Sequence, residues 1–336
     1  MNKKFLMALV VVGALCFAPA CSKGGDDPTN PNPNPEPNPE PEPGPAKEMV
    51  VYATGGDGSQ GVYWRNGESV VLKSPNSENN KWTRGKSITV VDGDVYVAGY
   101  ESKTAILWKN GEPTALTDNS TELSVNDMAI VGEDIYIVGA YNNAAVCWKN
   151  GQMSEIASRG EVRSIVVVGS DVYMAGNDNG VATCWKNGVA TTLCNDEWSV
   201  SEVYELCVVG DKVIAAGYYD MEAAMWTVDG GEVEQTVLTE DWSYAQGRAM
   251  AVNAAGSVYI AGNDGENPVY WLDGQMTKLA DCLSFGTATG VCLYGEHVVI
   301  GGIQDNQAVV WTDGVATVLA DAKTGPSIYA ICVVEE

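Results

Sequence analysis

Ala105-Ile106-Leu107-Trp108-Lys109-Asn110-Gly111 is an apolar strand that runs into an Asn-Gly turn, and the chain contains seven copies of this phrase. The other copies are Tyr63 to Gly67, Cys147 to Gly151, Cys184 to Gly188, Met225 to Gly231, Tyr270 to Gly274 and Val310 to Gly314. Their tryptophans, Trp64, Trp108, Trp148, Trp185, Trp226, Trp271 and Trp311, lie 44, 40, 37, 41, 45 and 40 residues apart. A period of this length belongs to propellers and solenoids, in which each copy is one supersecondary unit. Asn-Gly between apolar strands is a strong hairpin signal, because a type I′ turn needs positive φ at both central residues.

Each copy resolves into four short strands. The first is apolar, as in Ser87-Ile88-Thr89-Val90-Val91, and ends in a Gly/Asp turn. The second is Val95-Tyr96-Val97-Ala98-Gly99, echoed at Ile135 to Gly139, Val172 to Gly176 and Val258 to Gly262. The third carries the tryptophan, and the fourth ends on Leu72, Leu116, Ile156, Leu193, Leu238, Leu279 or Leu319. Near-continuous apolar strands imply sheets covered on both faces. The two ends complete the pattern: Met49 to Leu72 has strands two to four without a first, and Ser327 to Val334 is a first strand with nothing after it. Joined, they make a seventh blade, whereas an open solenoid would leave an apolar edge unpaired. The expected fold is all-β, a seven-bladed β-propeller with four strands per blade, closed by strand 327–334 joining strands 49–72.

The N-terminus reads as an export signal over 1–20: Lys3 and Lys4, an apolar run from Phe5 to Phe17, then small residues. That run is too short to span a bilayer as a helix. Ala18-Pro19-Ala20-Cys21 resembles a bacterial lipobox, which implies that Cys21 is lipidated and becomes the mature N-terminus. Ordinary secretory cleavage after Ala20 is the other reading. Residues 21–46 form an acidic, proline-rich linker in which proline recurs at almost every second position from Pro28 to Pro45. Such a segment cannot bury a core and extends as polyproline II, at roughly 3 Å per residue. The stretch Ser22 to Asp27 also resembles the signal that takes some Gram-negative lipoproteins to the cell surface. The propeller then occupies 47–336.

The net charge is −25, or −27 once Lys3 and Lys4 are removed, which argues against nucleic-acid and polybasic membrane contacts. Of nine cysteines, Cys16 leaves with the signal and Cys21 carries lipid. Cys207, Cys292 and Cys332 share a repeat slot with Thr89, Ala129, Val166 and Ala251, so the slot wants a small apolar side chain. They read as packing thiols, without a disulfide frame or metal ligation.

The phrase from Ala105 to Gly111 and its copies resembles the extracellular HAF-type repeat, roughly His-Ala-Phe-x-Trp-x-x-Gly followed by leucine. The alanine slot is kept at Ala105, Ala145, Ala182, Ala223 and Ala308 but is Gly61 and Pro268 elsewhere, and the histidine is absent, being Thr104 in the second copy. The resemblance implies a secreted or surface location and no particular activity. WD and kelch signatures are missing.

In a propeller, the four-to-one and two-to-three loops share the face where ligands usually bind. Here the four-to-one loops carry Trp82, Trp198 and Trp242, with Tyr244 beside the last. Aromatic platforms next to Asp, Asn and Gln suit sugars, whose faces stack on rings while hydroxyls take directional hydrogen bonds. The alternatives are that the tryptophans fold back as lids and that the Asn and Asp only make turns. At the start of strand one the aligned residues Lys86, Asn126, Arg163, Tyr204, Arg248, Thr289 and Tyr329 are expected to ring the channel mouth. Lys86, Arg163 and Arg248 could hold a carboxylate, sulfate or phosphate, or could pair locally with Asp127 and Glu205.

Signals of catalysis are thin. His297 falls at a turn on the opposite face, and there is no zinc spacing, nucleophile elbow, P-loop or dinucleotide fingerprint. Asp178, Asp220, Asp264 and Asp305 could pair for glycoside hydrolysis only at a separation that sequence does not give. The resulting expectation is a non-catalytic outer-membrane lipoprotein without cofactor or metal, facing the periplasm or the outside, that binds an extracellular glycan. An envelope scaffold with a protein partner is the second reading and a carbohydrate-active enzyme the third.

Overall fold

In the computed structural model, described for residues 48–75, 82–117, 122–194, 199–239 and 244–336, twenty-eight strands form seven four-stranded antiparallel sheets, with no helix among the described residues. Blade one runs through Thr83–Val91, Asp94–Glu101, Thr104–Lys109 and Glu112–Ala115. Blades two to six begin at Leu123–Val131, Gly160–Val168, Ser201–Val209, Gln246–Val252 and Gly286–Tyr294. Blade seven takes Ser327–Glu335 from the C-terminal end and Met49–Asp57, Gln60–Arg65 and Glu68–Val71 from the N-terminal end. The chain is a seven-bladed β-propeller closed by its own termini.

The closing seam pairs Val50 with Val334 and Tyr52 with Cys332. Reciprocal Glu48 and Glu336 backbone bonds of 2.8 and 3.1 Å end the ladder. Beside it, the Arg65 Nε donates to the Tyr52 hydroxyl at 2.9 Å, that hydroxyl donates to the Glu336 carboxylate at 2.8 Å, and Arg65 also pairs with Glu336. Residues 1–46, expected to be an export signal and a linker, lie outside the described residues.

What holds blade to blade is the repeated tryptophan. All seven are at most 2% exposed, and each packs on the sheet before its own. Trp148 joins Ala98, Ala105 and Ile137, Trp108 joins Tyr52 and Tyr63 of blade seven, and Trp64 joins Val299 and Val310 of blade six. Burying one such ring removes 150–250 Å² from water, about 5 kcal/mol of gross transfer. The alanine three residues earlier is fully buried in all five copies that have it, so the slot is small because the neighbouring blade is close. Its backbone N–H is bonded to a side-chain hydroxyl at Ala105, Ala182 and Ala223 (Thr117, Ser201 and Thr239), at 3.0–3.1 Å, instead of to a ladder carbonyl. Pro268 can therefore occupy the slot without breaking a ladder bond.

The cysteines from Cys147 onward are unpaired thiols, five of the seven buried. Burial pushes the thiols of Cys147 and Cys332 up to about 11 and those of Cys184 and Cys207 up to about 12, as befits packing residues.

Candidate functional site

The innermost strands line a central channel, and each carries one β-bulge near its start. The unpaired extra residue is Lys86, Asn126, Arg163, Tyr204, Arg248, Thr289 or Tyr329 in the seven blades. These are the seven residues expected to ring the mouth, and all of them line one cavity of about 120 Å³ there. A bulge re-aims a side chain at the cost of a ladder bond, and here it does so in every blade. The glycine two residues before the end of each second strand is the other half of the device. A Cβ at Gly99 would sit 2.0 Å from the Arg84 carbonyl oxygen, and at Gly139, Gly176, Gly217, Gly262, Gly302 and Gly55 the corresponding approach is 1.8–2.1 Å.

The three cations of the ring have different surroundings. Arg163 is compensated: its Nε donates to Glu202 at 2.9 Å, and its other end pairs with Glu161 at 2.9 Å. The alternative pairing with Asp127 and Glu205 is not the one observed. Those two carboxylates lie one residue deeper and bind neighbouring blades together. Asp127 accepts from Ser87 Oγ at 2.9 Å and from the Ile165 N–H at 3.0 Å, and Glu205 accepts from Ser164 Oγ at 2.5 Å. Burial first, and then the charge of Asp127, pushes Glu205 up to about 8; burial raises Asp127 as well. Lys86 places its Nζ 3.7 Å from the Tyr329 ring centroid. Arg248 stacks 5.1 Å from the Tyr204 ring centroid and donates to the Gln246 amide oxygen, while its buried Nε has no partner. Among the described residues no carboxylate pairs with Lys86 or Arg248.

On the surrounding face, Trp82 is 62% exposed and Tyr244 69% exposed, so neither folds back as a lid. The Arg84 guanidinium lies 4.7 Å from the Trp82 ring centroid and donates to the carbonyls of Thr83 and Gly58. Trp198 and Trp242 lie outside the described residues. An open groove of about 880 Å³ crosses the same face between blades two and three, lined by Ser124, Asn142, Asn143, Arg159, Glu161 and Asn177 among others.

Several polar loop residues are occupied by turn chemistry. Asp220 accepts from Ser199 Oγ at 2.9 Å and from the Val200 N–H, and Asp305 accepts from the N–H groups of Leu283 and Ser284. Asn142, Asn143 and Asn179 hold positive φ. His297 is exposed on the opposite face and bonds Asp313 at 2.6 Å. No group of three or more metal-ligating side chains occurs among the described residues.

Residues that sequence reading passed over fall in one register, two positions before the bulge: Arg84, Ser124, Glu161, Glu202, Gln246, Thr287 and Ser327. All seven are polar, so the column was visible in the aligned repeats. Its role was not, because the bonds that Glu161 and Glu202 make to Arg163, and Gln246 to Arg248, are formed only in the assembled ring.

Comparison with known proteins adds no argument to the strand pairing. No family model and no curated protein matches. A solved nidogen/laminin complex contains a chain 12% identical, at a TM-score of 0.47, with 85% of this chain and 98% of that one covered. The crystal structure of the computationally designed Ika8 protein is 17% identical at a TM-score of 0.44, over 69% of this chain and 72% of that one. Both scores are too low to carry an argument about function, and the seven blades stand on the strand pairing of this chain itself.

Proposed function

We propose that this chain is a non-catalytic, lipid-anchored envelope protein whose propeller binds an extracellular glycan on the face that carries the channel mouth. The observation that carries the reading is the pair of exposed rings, Trp82 backed by Arg84 and Tyr244 farther round the ring, on the face that also holds the open groove between blades two and three with its amide, hydroxyl and charged lining. An exposed flat ring is a platform on which a pyranose face can stack while its hydroxyls take directional hydrogen bonds from nearby polar groups. Cys21, the proline-rich stalk and the HAF-like repeats support an anchored head held away from an outer membrane. A protein-interaction scaffold is the second reading, favoured by the exposed Leu283 and Phe285 on the same face.

A glycan array probed with wild type beside the Trp82→Ala/Trp198→Ala/Trp242→Ala variant tests the reading. Binding present in the wild type and lost in a variant that keeps its melting temperature supports it. No binding to any neutral, uronic or sulfated glycan overturns it and leaves the scaffold.

A further inference from the structure

The channel mouth has an unusual charge account. The sequence holds 44 Asp and Glu against 19 Lys and Arg, yet two cations at the mouth have no carboxylate partner among the described residues. Lack of acids nearby is not the cause. Asp127 and Glu205 line the same cavity but are committed to Ser87, Ser164 and backbone N–H groups, while Glu161 and Glu202 are committed to Arg163. Lys86 and Arg248 make do with the faces of Tyr329 and Tyr204. Holding two largely desolvated cations together without a carboxylate in contact with either is unfavourable, and a buried guanidinium nitrogen with no acceptor adds to the cost.

We propose that the mouth is an oxyanion pocket, in which Lys86 and Arg248 receive the carboxylate or sulfate of an acidic sugar. The proposal rests on the glycan reading and names the ligand's class. A guanidinium fork suits the paired oxygens of such a group, and an ammonium adds a point charge that needs no fixed geometry. The cavity of about 120 Å³ is large enough for a small cluster of waters. That space suits one acid group, with the sugar ring left outside on the face. Trp82 lies four residues before Lys86, about 13 Å along an extended strand, so a chain stacked on Trp82 can reach the mouth.

The electrostatics agree. Burial, then the positive charges of Arg163, Arg248 and Arg84 against the one opposing carboxylate of Glu161, hold Lys86 down to about 8. An arriving oxyanion relieves that repulsion and raises the Lys86 pKa, so binding takes up a proton when the pH is near or above 8. Glu205, pushed up to about 8 beneath the mouth, becomes negative over the same range. Both effects weaken anion binding as pH rises from 7 to 9.5.

The test is calorimetric titration of the full chain in detergent with glucuronate, glucose and sodium sulfate, for wild type, Lys86→Gln and Arg248→Gln. Lys109→Gln, on the opposite face, is the control. Glucuronate is expected to bind at least tenfold more tightly than glucose at pH 7. Either mouth variant should erase that margin while leaving glucose affinity unchanged and without lowering the melting temperature, since one of two uncompensated cations is removed, and the wild-type margin should fall severalfold by pH 9.5. Equal affinity for the two sugars, or a margin that survives both mouth variants, overturns the pocket while sparing the glycan reading. Sulfate binding that needs Arg248, with no sugar of either kind bound, keeps the oxyanion chemistry and overturns the sugar as its source.

Discussion

At the hairpin end of the propeller the blades repeat one another, whereas at the channel mouth they differ. In six of the seven hairpins the first of the two positive-φ residues of the turn is Asn66, Asn110, Asn150, Asn187, Asp273 or Asp313, and a glycine is the second. In each of the six, its side-chain oxygen accepts the N–H of a second-strand residue at 2.8–2.9 Å. Three copies add the same ion pair, Lys109 with Asp94, Lys149 with Asp134 and Lys186 with Asp171, each lysine also lying over the preceding strand's tyrosine. The mouth has an equally regular backbone, one bulge opposite one glycine in every blade. The seven side chains displayed there are nevertheless Lys, Asn, Arg, Tyr, Arg, Thr and Tyr. Where a contact recurs in six of seven units it serves the unit's own folding. Where the backbone recurs and the side chain does not, the repeated scaffold has been freed to display something else.

The largest effect expected from this contrast is at a bulge glycine. Gly139→Ala drives a Cβ to 2.0 Å from the Ser124 carbonyl oxygen, where both partners are backbone, so a loss of about 3 kcal/mol is expected. The matched change at the hairpin end, Gly151→Ala, meets nothing within 4 Å and carries only the strain of φ 79°, about 1 kcal/mol. Urea unfolding of the two side by side decides the point, and equal losses would mean that the bulge does not require the glycine.

Next is the carboxylate layer under the mouth. A carboxylate whose folded pKa is raised contributes stability that is complete below its unfolded value, near 4.3, and lost as pH rises through about 8. Glu205→Gln should therefore flatten the decline in unfolding midpoint between pH 5 and pH 8.5 and leave the variant more stable than wild type at the upper end. Asp127, raised by its own burial, keeps part of the slope. An unchanged slope would show that Glu205 is ionised and well solvated in the folded protein.

At the hairpin end the effects shrink. Asn150→Ala removes the acceptor of the Ile135 N–H and should cost about 1 kcal/mol. Lys149→Ala, which breaks an ion pair that is half exposed on both sides, should cost no more than about 0.5 kcal/mol and less in high salt. Thermal melts at two ionic strengths separate the two, and a larger loss for the lysine would reverse the ranking.

Period, strand count and closure were legible in the residues themselves. Each repeat is a local unit whose turns and apolar alternation are set by nearest neighbours, and the orphan strand Ser327 to Val334 has only one vacancy to fill. The ring at the mouth was also legible as an aligned column, since equivalent positions in a closed ring must meet around one axis. What tertiary structure alone decided is which charges there are free. Arg163, Lys86 and Arg248 are alike in the column, and only packing across blades gives the first its two glutamates. The same packing turns Asp127 and Glu205 to serines and backbone N–H groups, leaving the other two cations against aromatic faces. Hydrogen-bond partners forty residues apart are chosen by the rotation from blade to blade and by a bulge that no single repeat announces, so local sequence determines the scaffold and the assembled ring determines its chemistry.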